Sequence, residues 1–252
     1  GEFATGAIVF SSPPSLCSSP SSFPLSRLRV GMGGKRRARP RKDEESAHSS
    51  PPEVVGGPTR VVFLRHGQSQ SQAEREDVPD APLSQLGEVQ AASWRGDPAE
   101  ALGVEVVLVS PLRRAVQTAC LAFEGGTLPM ELCRFAREMW WHERSNTPGT
   151  LADMEALLQT LPRGDEVQGL EECWTAGPDE PQDEDESVRR LGAELAMRGE
   201  ESVAIVCHWG VINQMCRVSA RNAEAVVCER FPRSGHLAAS RSFLPPGCPR
   251  TS

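Results

Sequence analysis

The segment "FLRHGQS" (Phe63 to Ser69) sets an arginine beside a histidine where the apolar run Val61–Leu64 ends. Arg65 is a permanent cation with a planar fork of donors. His66 carries an imidazole whose ordinary pKa is about 6.5, so its neutral form is available as a nucleophile near neutral pH. The pair suits phosphate chemistry. A phosphate dianion needs two or more cationic or N–H donors in fixed geometry, and a helix N-terminus adds free N–H groups and a favourable dipole. "SPLRR" (Ser110 to Arg114) offers both an arginine and a helix start, and a second histidine, His208, closes another apolar run. Ester cleavage also needs an acid for the leaving oxygen, worth roughly 100- to 10,000-fold.

These groups have to be held by regular elements. Residues 60–65 are expected to form a buried strand ending at the Arg-His-Gly turn, followed by a polar loop to about Pro82. A helix then starts at Ser84 as cap, with Leu86, Val89, Gln90 and Ser93 at helical spacing. "VEVVLVS" (104–110) is a second strand, with Ser110 as N-cap and Pro111 at the first position of the next helix. Residues 129–138 form a third, weaker strand, 151–161 and 186–198 helices, and 202–210 a buried strand followed by a helix. "AEAVVCE" (223–229) closes the series as an edge strand. Strands alternating with helices predict an α/β domain, three layers around a mostly parallel sheet, with ligands beyond the C-terminal strand ends. Arg65, His66, the Ser110–Arg114 turn and His208 all fall at such ends.

"LRHGQS", "PLSQLGEVQA", "SPLRRAVQTA" and "VCHWG" occur in that order. Together they resemble the histidine phosphatase superfamily, the phosphoglycerate-mutase-like proteins, over nearly all of residues 60–230. The resemblance implies that His66 is the nucleophile that becomes phosphohistidine, that Arg65 holds the phosphate, and that His208 contacts it and supports His66. The family's arginine directly precedes an alanine, which implies Arg114 and not Arg113. The family's acid/base follows the third strand, which implies Glu138, with Glu143 the rival. Trp140, Trp141 and His142 are candidates for the substrate mouth, Trp141 being the one expected to contact substrate, with ordinary packing as the alternative. Where many members have asparagine six residues after the nucleophile, this chain has Gln72, a candidate substrate contact. Trp209 stands where a small residue is common and is expected to narrow the pocket. "REMWWHERSNTPGTLADMEALLQTLP", "CWTAG" and "NAEAVVCE" resemble a broad branch of the superfamily in plants, algae and fungi.

The implied function is a phosphomonoesterase acting on a phosphorylated small molecule or phosphoprotein. A catalytically silent phospho-ligand binder is the alternative. A phosphoglycerate mutase is disfavoured, because its Glu-Arg-His-Tyr-Gly stretch is missing. Cysteine-based phosphatase chemistry fails, because Asn213 stands six places after Cys207 where an arginine is needed. "GMGGKRR" lacks the first glycine and the Ser or Thr of a nucleotide loop. No metal-ligand spacing stands out and no cofactor is expected.

Composition sets the outer limits. Residues 1–57 are rich in Ser, Pro, Gly and Arg and are expected to be a disordered leader, residues 58–231 the folded domain, and 232–252 a disordered tail. The net charge is −7, split between a basic run, "KRRARPRK" (35–42), and an acidic run, "DEPQDEDE" (179–186). The domain itself is therefore acidic and offers nucleic acid no obvious face. Eight cysteines show no CxxC pair, which suits buried free thiols in a reducing compartment. The Ser-rich, acid-poor leader resembles an organelle transit peptide. An intracellular location, cytoplasmic or organellar, is expected, and no apolar run is long enough to span a bilayer.

Overall fold

The computed structural model describes residues 57–95, 103–175, 181, 183–230, 236–245 and 247–249. Apart from Gly57, the expected leader lies outside the described residues. Seven strands form one sheet: β1 (Arg60–Arg65), β2 (Val106–Val109), β3 (Met130–Leu132), β4 (Val167–Gln168), β5 (Ser202–Cys207), β6 (Ala225–Arg230) and β7 (Leu237–Phe243). Their order is β4-β3-β2-β5-β1-β6-β7. The first five are mutually parallel, and β6 and β7 are antiparallel additions beside β1.

The central strands are continuous apolar runs because both their faces are covered. Val62, Leu64, Val107, Val109, Ala204 and Val206 pack with α3 (Arg113–Ala122) and α4 (Leu151–Leu158). Val61, Phe63, Val106, Leu108, Val203 and Ile205 pack on the other face with α6 (Glu184–Met197) and α7 (Trp209–Cys216). The period-two alternation of strand side chains divides one apolar run between two cores. Two short helices, α1 (Gln70–Glu74) and α5 (Leu170–Trp174), and the longer α2 (Gln85–Ala92) complete the helical set. The seven described cysteines are all free, five of them buried. Among the described residues no helix is long and apolar enough to cross a membrane.

The structure corrects several expectations. The stretch 232–252 is not a wholly disordered tail, because residues 237–243 form β7 on β6. Most of that strand's side chains are exposed, so "LAASRSF" carries little apolar pattern, and its backbone bonds to β6 hold it. It follows that β6 is not an edge strand; it lies between β1 and β7. Helix α3 begins two residues later than expected, with Leu112 as N-cap and no side-chain cap. Ser110 is diverted, its hydroxyl lying 2.7 Å from His208 Nε2, and Asp80 Oδ1 accepts from the Arg113 N–H at 3.0 Å instead. The third strand covers only Met130–Leu132 before a 3₁₀ turn, Arg134–Ala136. On α2, Gly87, Gln90 and Ala91 are buried while Val89 is 55 % exposed. That face is chosen by backbone approach, since a Cβ on Gly67 would strike the Gly87 carbonyl and one on Gly87 would strike that of Gln68. The RHG loop therefore lies directly on α2.

Candidate active site

The β1–β5 register pairs Arg65 with Cys207, so the next residues, His66 and His208, emerge side by side. Their ring centroids are 5.0 Å apart. Val109 pairs with Val206, which brings Ser110 and the start of α3 to the same sheet edge. Three strand ends thus converge, and Glu138 arrives from the loop after β3.

His66 is almost wholly buried. Its Nδ1 lies 2.6 Å from the Gly67 carbonyl, and its Nε2 lies 3.2 Å from Arg114 Nε. A carbonyl only accepts and an arginine nitrogen only donates, so Nδ1 carries the proton and Nε2 a lone pair. Burial, then the charges of Arg114 and Arg65, hold the imidazole well below its ordinary pKa. His66 is therefore neutral near pH 7, with its lone pair on Nε2.

Arg114 is the best-anchored cation. Nη1 donates to the Ser145 carbonyl at 2.6 Å and Nη2 to Asn146 Oδ1 at 2.8 Å. Burial lowers its pKa to about 10, so it stays charged. Arg65 donates from Nη1 to the Ala220 carbonyl at 2.8 Å, while its buried Nε has no partner. His208 is fully buried, with Nε2 against Ser110 Oγ and Nδ1 without a partner. The Arg65 Nε and His208 Nδ1 are buried polar atoms of the kind that an unmade bond leaves costly.

Glu138 is buried, and Oε1 accepts from the N–H groups of Met139 at 2.9 Å and Gly210 at 3.0 Å. Burial raises its pKa above the ordinary carboxylate range, against the pull of those bonds and of Arg114 and Arg65. A Cβ on Gly210 would strike the Glu138 carboxylate and Met139, so this glycine makes room for the acid. Glu143 is exposed and receives Asn146 Nδ2 at 3.1 Å. The buried carboxyl beside the cations is Glu138, and Glu143 stands at the rim.

Apart from the fully buried His208, these groups line one cavity of about 590 Å³ that also includes Gln72, Trp140 and Trp209. Gln72 has little freedom, because its carbonyl oxygen receives the Ser69 N–H and Asn222 Nδ2, both at 3.0 Å. Trp141 is not in this cavity. Its N–H donates to Glu184 Oε1, its ring carries the Arg137 guanidinium at 4.1 Å, and it lines a separate cleft of about 300 Å³ with Trp174. His142 is exposed and outside the cavity lining. The reason is a left-handed backbone at Trp140, φ 58°, which sends successive side chains to different places.

Sequence reasoning missed the supports. Asn146 links Arg114 to the Met139 and Trp140 carbonyls, which its Nδ2 approaches at 3.0 and 3.3 Å. Asp77 receives the N–H groups of Arg144 and Ser145, and Asp80 those of Arg113 and Gly149. Asn222 donates to the His66 carbonyl at 3.1 Å, and Thr118 joins the Gly67 N–H to the Arg114 carbonyl. All are polar residues in loops or on a helix, with no spacing to mark them. Among the described residues, no group of three or more His, Cys, Asp or Glu converges in a way that would hold a metal ion.

Comparison with protein families matches residues 61–232 to the histidine phosphatase superfamily (branch 1). A comparison with curated proteins returned no match. Among solved structures, YhfR from Bacillus stearothermophilus is similar at 17% identity and TM-score 0.49, covering 72% of this chain and 95% of its own. A mycobacterial glucosyl-3-phosphoglycerate phosphatase is similar at 22% identity and TM-score 0.45, covering 74% of this chain and 97% of its own.

Proposed function

The chain belongs to the histidine phosphatase superfamily, branch 1, and on that premise we propose that it is a phosphomonoesterase that works through a phosphohistidine on His66. The observation that carries this reading is the state of His66: neutral, tied at Nδ1, and presenting Nε2 to the buried Arg114, with the charge of Arg65 nearby. The phosphoryl oxygens of the ester are held by Arg65, Arg114 and His208. The Nε2 lone pair attacks phosphorus as the ester P–O bond breaks. Arg114 Nε transfers its hydrogen bond from Nε2 to a phosphoryl oxygen, which frees the lone pair for attack. The Gly67 carbonyl keeps the Nδ1 proton in place as positive charge builds on the ring.

Glu138, whose pKa burial raises, gives its proton in the acid form to the leaving alkoxide. The product alcohol departs. The resulting carboxylate takes a proton from water, the hydroxide oxygen attacks phosphorus, and the P–Nε2 bond breaks. Inorganic phosphate leaves and Glu138 is again an acid.

The test is hydrolysis of an aryl phosphate by the full chain beside His66→Ala from pH 5 to 8, with acid-quenched samples read by mass spectrometry. We expect a phosphoryl group on His66 and at least about a 1,000-fold loss in the variant. Turnover surviving in the variant would remove His66 from the role.

A further inference from the structure

The cavity is larger than a phosphate needs, and its apolar wall is made by two indoles. Trp140 and Trp209 both line it, with ring centroids 5.8 Å apart and planes only 21° from parallel. They stack on one another, so each indole gives one face to its neighbour. Trp209 donates from Nε1 to Ser219 Oγ at 2.9 Å. Trp140 sits in a left-handed backbone, φ 58°, a conformation that costs a tryptophan about 1 kcal/mol. Its carbonyl receives the Glu143 N–H at 3.0 Å and Asn146 Nδ2, the bonds that hold it there. Yet the Trp140 side chain, so constrained, remains 40 % exposed.

Several polar groups around the cavity are already committed. Gln72 Oε1 is occupied by Ser69 and Asn222, Asn146 by Arg114 and three acceptors, and Glu143 Oε2 by Asn146. An exposed indole in the wall of the cavity is complementary to another flat ring.

We propose that the preferred substrates are phosphomonoesters of ring-bearing alcohols, whose aromatic or heteroaromatic ring stacks on the exposed part of Trp140 while the phosphate sits on Arg65 and Arg114. This substrate class rests on the phosphomonoesterase reading, but ring recognition is measurable without turnover. The probes are benzylphosphonate and cyclohexylmethylphosphonate, stable phosphate analogues of similar size that differ in aromaticity, titrated by calorimetry into the full chain. Benzylphosphonate is expected to bind about 3- to 10-fold more tightly. Trp140→Gly removes the ring while suiting the left-handed backbone; it should abolish that preference and leave the cyclohexyl affinity within about twofold, and Trp140→Phe should restore most of it. Equal affinities in the wild type, binding of neither probe, or equal weakening of both by Trp140→Gly would each overturn the proposal. Hydrolysis of benzyl phosphate, measured alongside, tests the phosphatase reading separately: a ring preference without turnover would sink that reading and leave ring binding standing.

Discussion

The floor and the mouth of the cavity are built in different ways. On the floor, Arg65, His66 and His208 each lie within a residue of a strand end, and Arg114 is the second residue of α3. Parallel register alone sets them side by side. The mouth, residues 138–149, has no strand. It is held by Asn146, Asp77 and Asp80, whose side chains reach backbone groups across the loops. Regular elements place the two arginines and two histidines of the floor, and long-range side-chain bonds place the neighbours of Glu138 and the aromatic wall. Ladder geometry tolerates changes of side chain, whereas a loop held by a few side chains depends on each of them.

The comparison can be broken at four points. Glu138→Gln keeps the bonds to Met139 and Gly210 but removes the proton donor. Esters of alkyl alcohols should slow by about 100-fold or more and activated aryl esters far less. The wild-type rate on alkyl esters should fall as pH rises through the raised Glu138 pKa, since the acid form is then lost, and the variant should show no such limb in a kcat–pH profile. A uniform loss on both ester types would move the acid role elsewhere.

Arg114→Ala is expected to cost about 100-fold in kcat/KM and Arg113→Ala no more than about twofold, because only Arg114 is buried against His66. Equal losses in steady-state kinetics would contradict the assignment. Asn146→Ala cuts the link between floor and mouth, and about a tenfold loss is expected, with Arg114 losing one of its three bonds. If the floor is independent of the mouth, kinetics on a small aryl ester will show no loss.

The smallest effect concerns stability. His66 and His208 are held neutral in the fold, while in the unfolded chain they take up protons below about pH 6.5. The unfolded state then binds more protons, so stability falls as the pH is lowered below about 6.5, by up to about 1.4 kcal/mol per unit for each histidine. Denaturant midpoints at pH 7 and pH 5.5 should show it, and His208→Asn should flatten the difference.

Much of the floor was legible because the residues themselves carry the signal. Apolar runs end at Arg65 and His208, and Pro111 precedes a helix, so the ends of the floor's strands and α3 were readable to within three residues. The stretch after β6 was not, since β7 is polar and exposed, and pairing partners leave no mark on a strand that buries little. Nor was the choice between the tryptophans: adjacent Trp140 and Trp141 are equivalent by type, and the left-handed turn at Trp140 separates them.

By itself the chain's sequence determined the α/β class, the central parallel strands and the candidates Arg65, His66, Arg114 and His208, because period, spacing and residue type are local quantities. Only the tertiary structure decided the tautomer of His66, the burial that sets Glu138 apart from the exposed Glu143, and the pairing of Trp140 with Trp209. Each depends on groups distant along the chain, the last joining residues 140 and 209, and desolvation and contact geometry exist only once those segments have packed.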